Sequence, residues 1–122
     1  MGRAETDLAY AAGFYDGEGC VGIHYEGHIY VAFTQKRPSI LYWLQDLFSA
    51  GNISPNKLVI TKSVDIVRVG KLLLPYLKCK KRKLEIAIAI AETIPSQGKK
   101  PTPRELLLRH KLIELLEVTE DE

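Results

Sequence analysis

Apolar positions along the chain follow two rhythms, one near 3.6 residues and one of 2, and their alternation predicts the order of elements. Residues 8 to 19 come first. From Asp7 to Asp16 no side chain carries charge, which predicts a helix with no solvated face, covered on all sides. At about 100° per residue, Ala9, Gly13 and Gly17 fall on one side with Ala12 beside them. Leu8, Ala11, Phe14 and Tyr15 gather on the other, which reads as the chain's own core. The small side, with glycines four apart, would let a second helix backbone come very close. Two carboxylates, Asp16 and Glu18, sit among glycines where the helix stops, and a strand follows at once. The junction looks built to hold Glu18 at a buried helix end.

Two strands are expected around Gly27, at residues 20 to 26 and 28 to 35. In the first, Val21, Ile23 and Tyr25 alternate with Cys20, Gly22, His24 and Glu26. In the second, Ile29, Val31 and Phe33 alternate with His28, Tyr30, Ala32 and Thr34. One face is core and the other is wet. A helix follows, with Pro38 near its first turn and Ile40, Leu41, Leu44, Leu47 and Phe48 on one side, and Gly51 is expected to end it. Residues 53 to 54 and 58 to 60 read as a short hairpin around Pro55 and Asn56. Residues 64 to 69 alternate like a strand, yet Ser63 could cap a helix running on to Leu74. Residues 82 to 94 make an amphipathic helix that Pro95 stops, and residues 95 to 103 a linker rich in Pro, Gly and Lys. Thr102 to Glu105 is a capping box with Pro103 at the first helical position, so residues 104 to 117 should be a final helix. Four antiparallel strands with helices on one face make an α+β domain.

Composition adds a partner class. The 122 residues, 46% hydrophobic, suffice for one domain with its own core, about residues 7 to 117, ahead of an acidic tail at 118 to 122. Net charge is only +2, but residues 114 to 122 hold five acids and no base; the remaining 113 residues carry 17 basic and 10 acidic side chains, net +7. Lys78, Lys80, Lys81, Arg82 and Lys83 put five cations into six residues, by itself a solvated face until something calls for a phosphate partner. The apolar runs at 72 to 74 and 86 to 91 fall far short of the roughly 20 residues a spanning helix needs, and no secretory segment is visible. The expectation is an intracellular protein, of cytoplasm, nucleoid or organelle matrix, without a membrane partner. Cys20 and Cys79 form no C-x-x-C pair, so structural zinc is not expected and both read as reduced thiols.

Three segments in order resemble one family. Ala11-Ala12-Gly13-Phe14-Tyr15-Asp16-Gly17-Glu18-Gly19 is similar to the nine-residue signature of the LAGLIDADG homing endonucleases, departing from its usual leucine at Ala11. Thr34-Gln35-Lys36 at a strand end and residues 74 to 80 before a long helix fit the same family. The resemblance spans about residues 7 to 117 and favours helix at 64 to 69. It implies an αββαββα domain with a four-stranded antiparallel sheet and one further C-terminal helix.

The resemblance also implies a chemistry: hydrolysis of both strands of a long, pseudo-palindromic DNA target across its minor groove. One signature per chain implies a homodimer, with Ala9, Ala12, Gly13, Asp16 and Gly17 at the seam. Glu18 stands where the family binds metal, with Gly17 beside it; Mg²⁺ is the natural ion, Mn²⁺ a substitute, and Ca²⁺ should bind without supporting efficient cleavage. Gln35 matches a position that orients water, and Lys80 one poised near the scissile phosphate; these two and Glu18 form the implied catalytic set. Asp16 matches a residue that stabilises the helix ends. Cys20, Gly22, His24, Glu26, His28, Tyr30, Ala32 and Thr34, with Lys36, Lys57, Lys81 and Lys83, would meet double-stranded DNA. Strands of about 7 residues reach about 23 Å, some 7 base pairs, so two subunits cover about 15. Relatives of this fold also include RNA maturases and regulators that bind nucleic acid without cutting it. A third reading is a dimeric module whose wet sheet binds protein.

Overall fold

The computed structural model describes residues 5–24, 28–95 and 99–120. Chain order is α1 (Glu5–Glu18), β1 (Gly19–His24), β2 (His28–Thr34), α2 (Pro38–Phe48), β3 (Asn52–Ser54), β4 (Lys57–Ile60), α3 (Ser63–Leu73), a 3-10 turn (Leu74–Tyr76), α4 (Lys81–Glu92) and α5 (Pro103–Val118). The α+β order matches the expected one, and residues 64 to 69 are helical. Ser63 is the first residue of α3 and not its cap, a place taken by Lys62 with no side-chain bond. Tyr25, Glu26 and Gly27, expected at the tip of the first hairpin, lie outside the described residues, as do the last two residues of the acidic tail.

Among the described residues the strands form one antiparallel sheet in the order β1-β2-β4-β3. Its inward row, Ile29, Val31, Phe33, Leu58 and Ile60, is buried against residues of α1 to α4. Phe33 is the hub: its ring lies 6.2 Å from Phe14, 5.5 Å from Tyr15 and 6.5 Å from Phe48, tying α1 and α2 to the middle of the sheet. In the β3–β4 turn, Pro55 is followed by Asn56 at φ 68°, the sequence signature of a type II turn.

α2 does not run on to Gly51. Ser49 takes the left-handed conformation, φ 50°, with its N–H donating to the Gln45 carbonyl. Gly51, at φ 92°, then turns the chain into β3, and its carbonyl accepts from Gln45 Nε2 at 3.0 Å. α5 opens with the expected capping box, in which Thr102 Oγ1 accepts from the Glu105 N–H at 3.1 Å and Glu105 Oε1 from the Thr102 N–H at 2.8 Å. Arg109 holds it to the end of α4, donating to Thr93 Oγ1 at 2.9 Å and to the Thr93 carbonyl at 3.0 Å. No helix of the described residues is long and apolar enough to cross a membrane.

α1 departs from expectation in a way that matters below. Leu8, Ala11, Ala12 and Tyr15 are buried, but Ala9, Tyr10, Gly13, Gly17 and Glu18 are exposed, so the helix is not covered on all sides within one chain. Ala12 has no accessible surface and is corrected from the small side to the core. Four residues past Leu8 it is rotated only about 40° from it, at one edge of a buried arc that runs through Leu8 and Tyr15 to Ala11. Tyr10 falls on the exposed arc instead, braced edge-to-face against Trp43 at 5.5 Å.

Candidate functional site

α1 passes into β1 without a loop, and glycine makes this possible. A Cβ at Gly19 would fall inside the ring of Tyr15, which is itself buried against the sheet. The helix therefore closes down on the strand, and Glu18 is left at the outer edge of the junction. Its side chain is exposed and makes no hydrogen bond or ion pair among the described residues. The buried helix end expected for Glu18 is absent from the single chain, because the neighbouring Gly13 and Gly17 are uncovered as well.

Asp16 does the opposite. Its Oδ2 accepts from the Lys78 N–H at 2.8 Å, and Oδ1 from the N–H groups of Cys79 at 3.2 Å and Lys80 at 3.1 Å. One carboxylate thus gathers three consecutive amides at the entrance to α4 and pins that segment to the last turn of α1. Burial alone would raise the Asp16 carboxyl, but the three backbone donors and the Lys80 charge outweigh it and hold the group below its ordinary value of 3.8. The carboxylate expected at the dimer seam is therefore engaged within its own chain. Asp16→Ala removes an ionised acceptor from three amides and should cost about 1–3 kcal/mol, several degrees in Tm for a chain of this size. A folded pKa below the unfolded one means stabilisation that is complete above the unfolded value and lost as pH falls through the folded one. Thermal melts of both chains should differ at pH 7 and converge as pH drops below 3.8. A gap that persists in strong acid would show that the charge on Asp16 is not what holds α4.

The Asp16 clamp delivers Lys80 to the junction. Its Nζ donates to the Gly19 carbonyl at 2.6 Å, one residue from Glu18, so an ammonium and a carboxylate share the α1–β1 corner. Gln35 lies two residues past Phe33, which pairs with Gly19, and so reaches the same end of the sheet. Its side chain is turned away: Oε1 accepts from the N–H groups of Lys36 at 2.9 Å and Arg37 at 3.3 Å, capping the approach to α2. The structure thus brings Glu18, Gly17 and Lys80 together and leaves the amide of Gln35 bonded to its own loop. A carboxylate free of partners and the last carbonyls of α1, which a helix leaves unpaired, are the hard oxygen donors that Mg²⁺ takes. Among the described residues no group of three His, Cys, Asp or Glu comes together to hold an ion.

On the outward face of the sheet, register places Cys20 beside Ala32, Gly22 beside Tyr30 and His24 beside His28. Ala32 is corrected: flanked by Cys20 on β1 and Val59 on β4, it has no accessible surface and offers nothing to a ligand. Gly22 is half-buried, and the outer end of the Tyr30 ring occupies the place its Cβ would take. Cys20, His24, His28, Lys36 and Lys57 are exposed, and Tyr30 and Thr34 half-buried. Lys81 is exposed and Lys83 half-buried in the first turn of α4.

No protein-family model and no curated protein matches the chain. Solved structures do. The homing endonuclease I-CvuI, crystallised with the I-CreI target in magnesium with the DNA not cleaved, matches with a TM-score of 0.70 at 20% identity, over 95% of this chain and 85% of that one. The same endonuclease with its own target and calcium gives 0.67 at 20% identity, over 94% and 84%. The archaeal intron-encoded homing endonuclease I-Vdi141I, complexed with DNA, gives 0.69 at 20% identity, over 95% and 87%. The chain has the LAGLIDADG homing-endonuclease fold.

Within this LAGLIDADG fold the outward face is wider than alternation along the chain implies. Thr34 pairs with Lys57 and Ala32 with Val59, while Ser54 and Asn52 of β3 stand opposite those two β4 residues. Val59, Ser54 and Asn52 therefore share the face with the first hairpin. The alternation of Lys57 and Val59 with buried Leu58 and Ile60 carried that signal; three residues of β3 were too few to show a period.

Proposed function

We propose that two copies of this chain form a site-specific endonuclease that hydrolyses both strands of double-stranded DNA with a divalent metal. The observation that carries the reading is an exposed, unpartnered Glu18 at the end of a helix face whose glycines the chain itself does not need. A Cβ at Gly13 or Gly17 would meet nothing within 4 Å. Glycine inside a helix costs about 1 kcal/mol relative to alanine, so two such residues ask for a second backbone lying against them. A two-fold axis through that contact brings both Glu18 side chains together, where bare carboxylates repel and a cation relieves them. Glu18 and the Gly17 carbonyl of each copy would hold Mg²⁺ or Mn²⁺, which when bound stabilises charge on the phosphate and leaving oxygen and lowers the pKa of water. Lys80, held beside Glu18, is the chain's own cation for charge growing on the scissile phosphate. Gln35 reaches the same corner once its amide leaves Lys36 and Arg37, and there it would orient water.

The outward face would lie along the major groove, His24 and His28 toward base edges and Lys57 toward the backbone. That the neighbours of this fold include DNA complexes supports the assignment. The direct test is a randomised duplex library incubated with the protein and Mg²⁺. Sequencing the cut ends should return two related half-sites over about 15 base pairs. Binding without any cut would move the chain to the non-cleaving, nucleic-acid-binding alternative. Lys57→Ala and Lys81→Ala should weaken every duplex alike and lower the salt slope of binding by about one for each phosphate left without its lysine. A changed sequence preference in either variant would place that lysine at a base and not at a phosphate.

A further inference from the structure

Gly22 stands in the middle of β1 on the outward face, directly opposite Tyr30 of β2. The Tyr30 ring does not stand off the sheet. It folds across the neighbouring strand, so that its Cζ and Oη fill the space a Cβ on Gly22 would need. The His24 imidazole, next along the same face, stacks on that ring with centroids 4.5 Å apart and planes 29° apart. Nothing in the backbone requires glycine here, since Gly22 is not in the left-handed region. What its missing side chain supplies is a floor for the ring.

We infer that Gly22, Tyr30 and His24 work as one device: Gly22 lets Tyr30 lie flat, and Tyr30 is a positioning residue that fixes the His24 imidazole toward a single base pair. The inference rests on the DNA reading of this face proposed above. An exposed histidine on a strand has several staggered rotamers open to it, and ring stacking selects among them before DNA arrives. Discrimination by His24 therefore depends on two residues that need not touch the base it reads.

Binding selections from a randomised duplex library, run on the full chain and its variants, test this. Gly22→Ala displaces only the far end of an outward-facing ring, which can swing into solvent, so the sheet should survive; circular dichroism checks each variant. His24→Ala should relax the choice at one base pair per half-site by about tenfold or more. Gly22→Ala should relax the same base pair comparably, and the double variant no further than His24→Ala alone, as for residues acting through one contact. Tyr30→Phe, which keeps the ring and loses the hydroxyl, should retain the choice there. A wild-type preference at that base pair in Gly22→Ala, additive relaxation in the double variant, or loss of the choice in Tyr30→Phe would each overturn the positioning role while leaving the DNA reading intact. Absence of any enriched sequence with the wild-type chain would instead overturn the DNA reading, and this inference with it.

Discussion

Glu18→Gln is expected to stop cleavage and spare binding. The substitution keeps shape and removes the charge that a cation at the corner would answer, so Mg²⁺-dependent cutting should fall about a thousandfold, the scale seen when one preorganised charge-stabilising group is removed. Within its own chain Glu18 is exposed and bonds to nothing among the described residues. The variant's stability should therefore stay within about 0.5 kcal/mol of the parent, and misfolding cannot account for a dead enzyme. In the proposed dimer the two carboxylates would repel across the axis without metal, so the glutamine variant should dimerise at least as tightly as the parent. Lys80→Met should slow cutting by a smaller factor, about ten- to a hundredfold, because it takes charge from the phosphate and leaves the metal donors in place. Cleavage assays on a selected target, with gel shifts at matched salt, measure both. A glutamine variant that cuts at the parental rate would remove Glu18 from the chemistry.

The element order was legible because period 2 and period 3.6 alternate cleanly, and because prolines and a capping box mark where helices start and stop. What periodicity reports is the direction of a side chain, not what lies over it. Ala32 falls on the outward face as its alternation requires, yet between Cys20 and Val59 it keeps no accessible surface. Residues 64 to 69 satisfy both periods, and only packing of Ile66, Val69 and Leu73 into the core decides for helix. The end of α2 was misplaced by two residues because a serine took the left-handed position that glycine usually holds. At the candidate site, Glu18 was visible as an acid between glycines, whereas the routes that bring its neighbours there were not. Lys80 arrives through three amides gathered by Asp16, 62 to 64 residues earlier in the chain. The stacking of His24 on Tyr30 over Gly22 needs the strand register before it can be seen.

Gly13→Leu is expected to separate the subunits without unfolding them. In the single chain a Cβ at residue 13 enters open space, and replacing a helical glycine removes a propensity cost of about 1 kcal/mol. The isolated subunit should thus melt no lower than the parent subunit, with an unchanged circular dichroism spectrum. If a second helix lies against this stripe, however, the leucine has nowhere to go. Overpacking costs roughly 1–3 kcal/mol per site, and two-fold symmetry imposes it twice, so dimer affinity should fall by about a hundredfold or more. Gly13→Ala gains the same helix propensity with one methyl in place of four carbons, and its loss of affinity should lie between. Cleavage should follow the dimer, because in the proposed assembly each subunit would supply only half of the oxygen donors at the axis. Sedimentation across a concentration series resolves the question. A Gly13→Leu chain that stays dimeric at parental affinity would mean that the exposed glycines of α1 face solvent and that the subunits, if they pair, do so elsewhere.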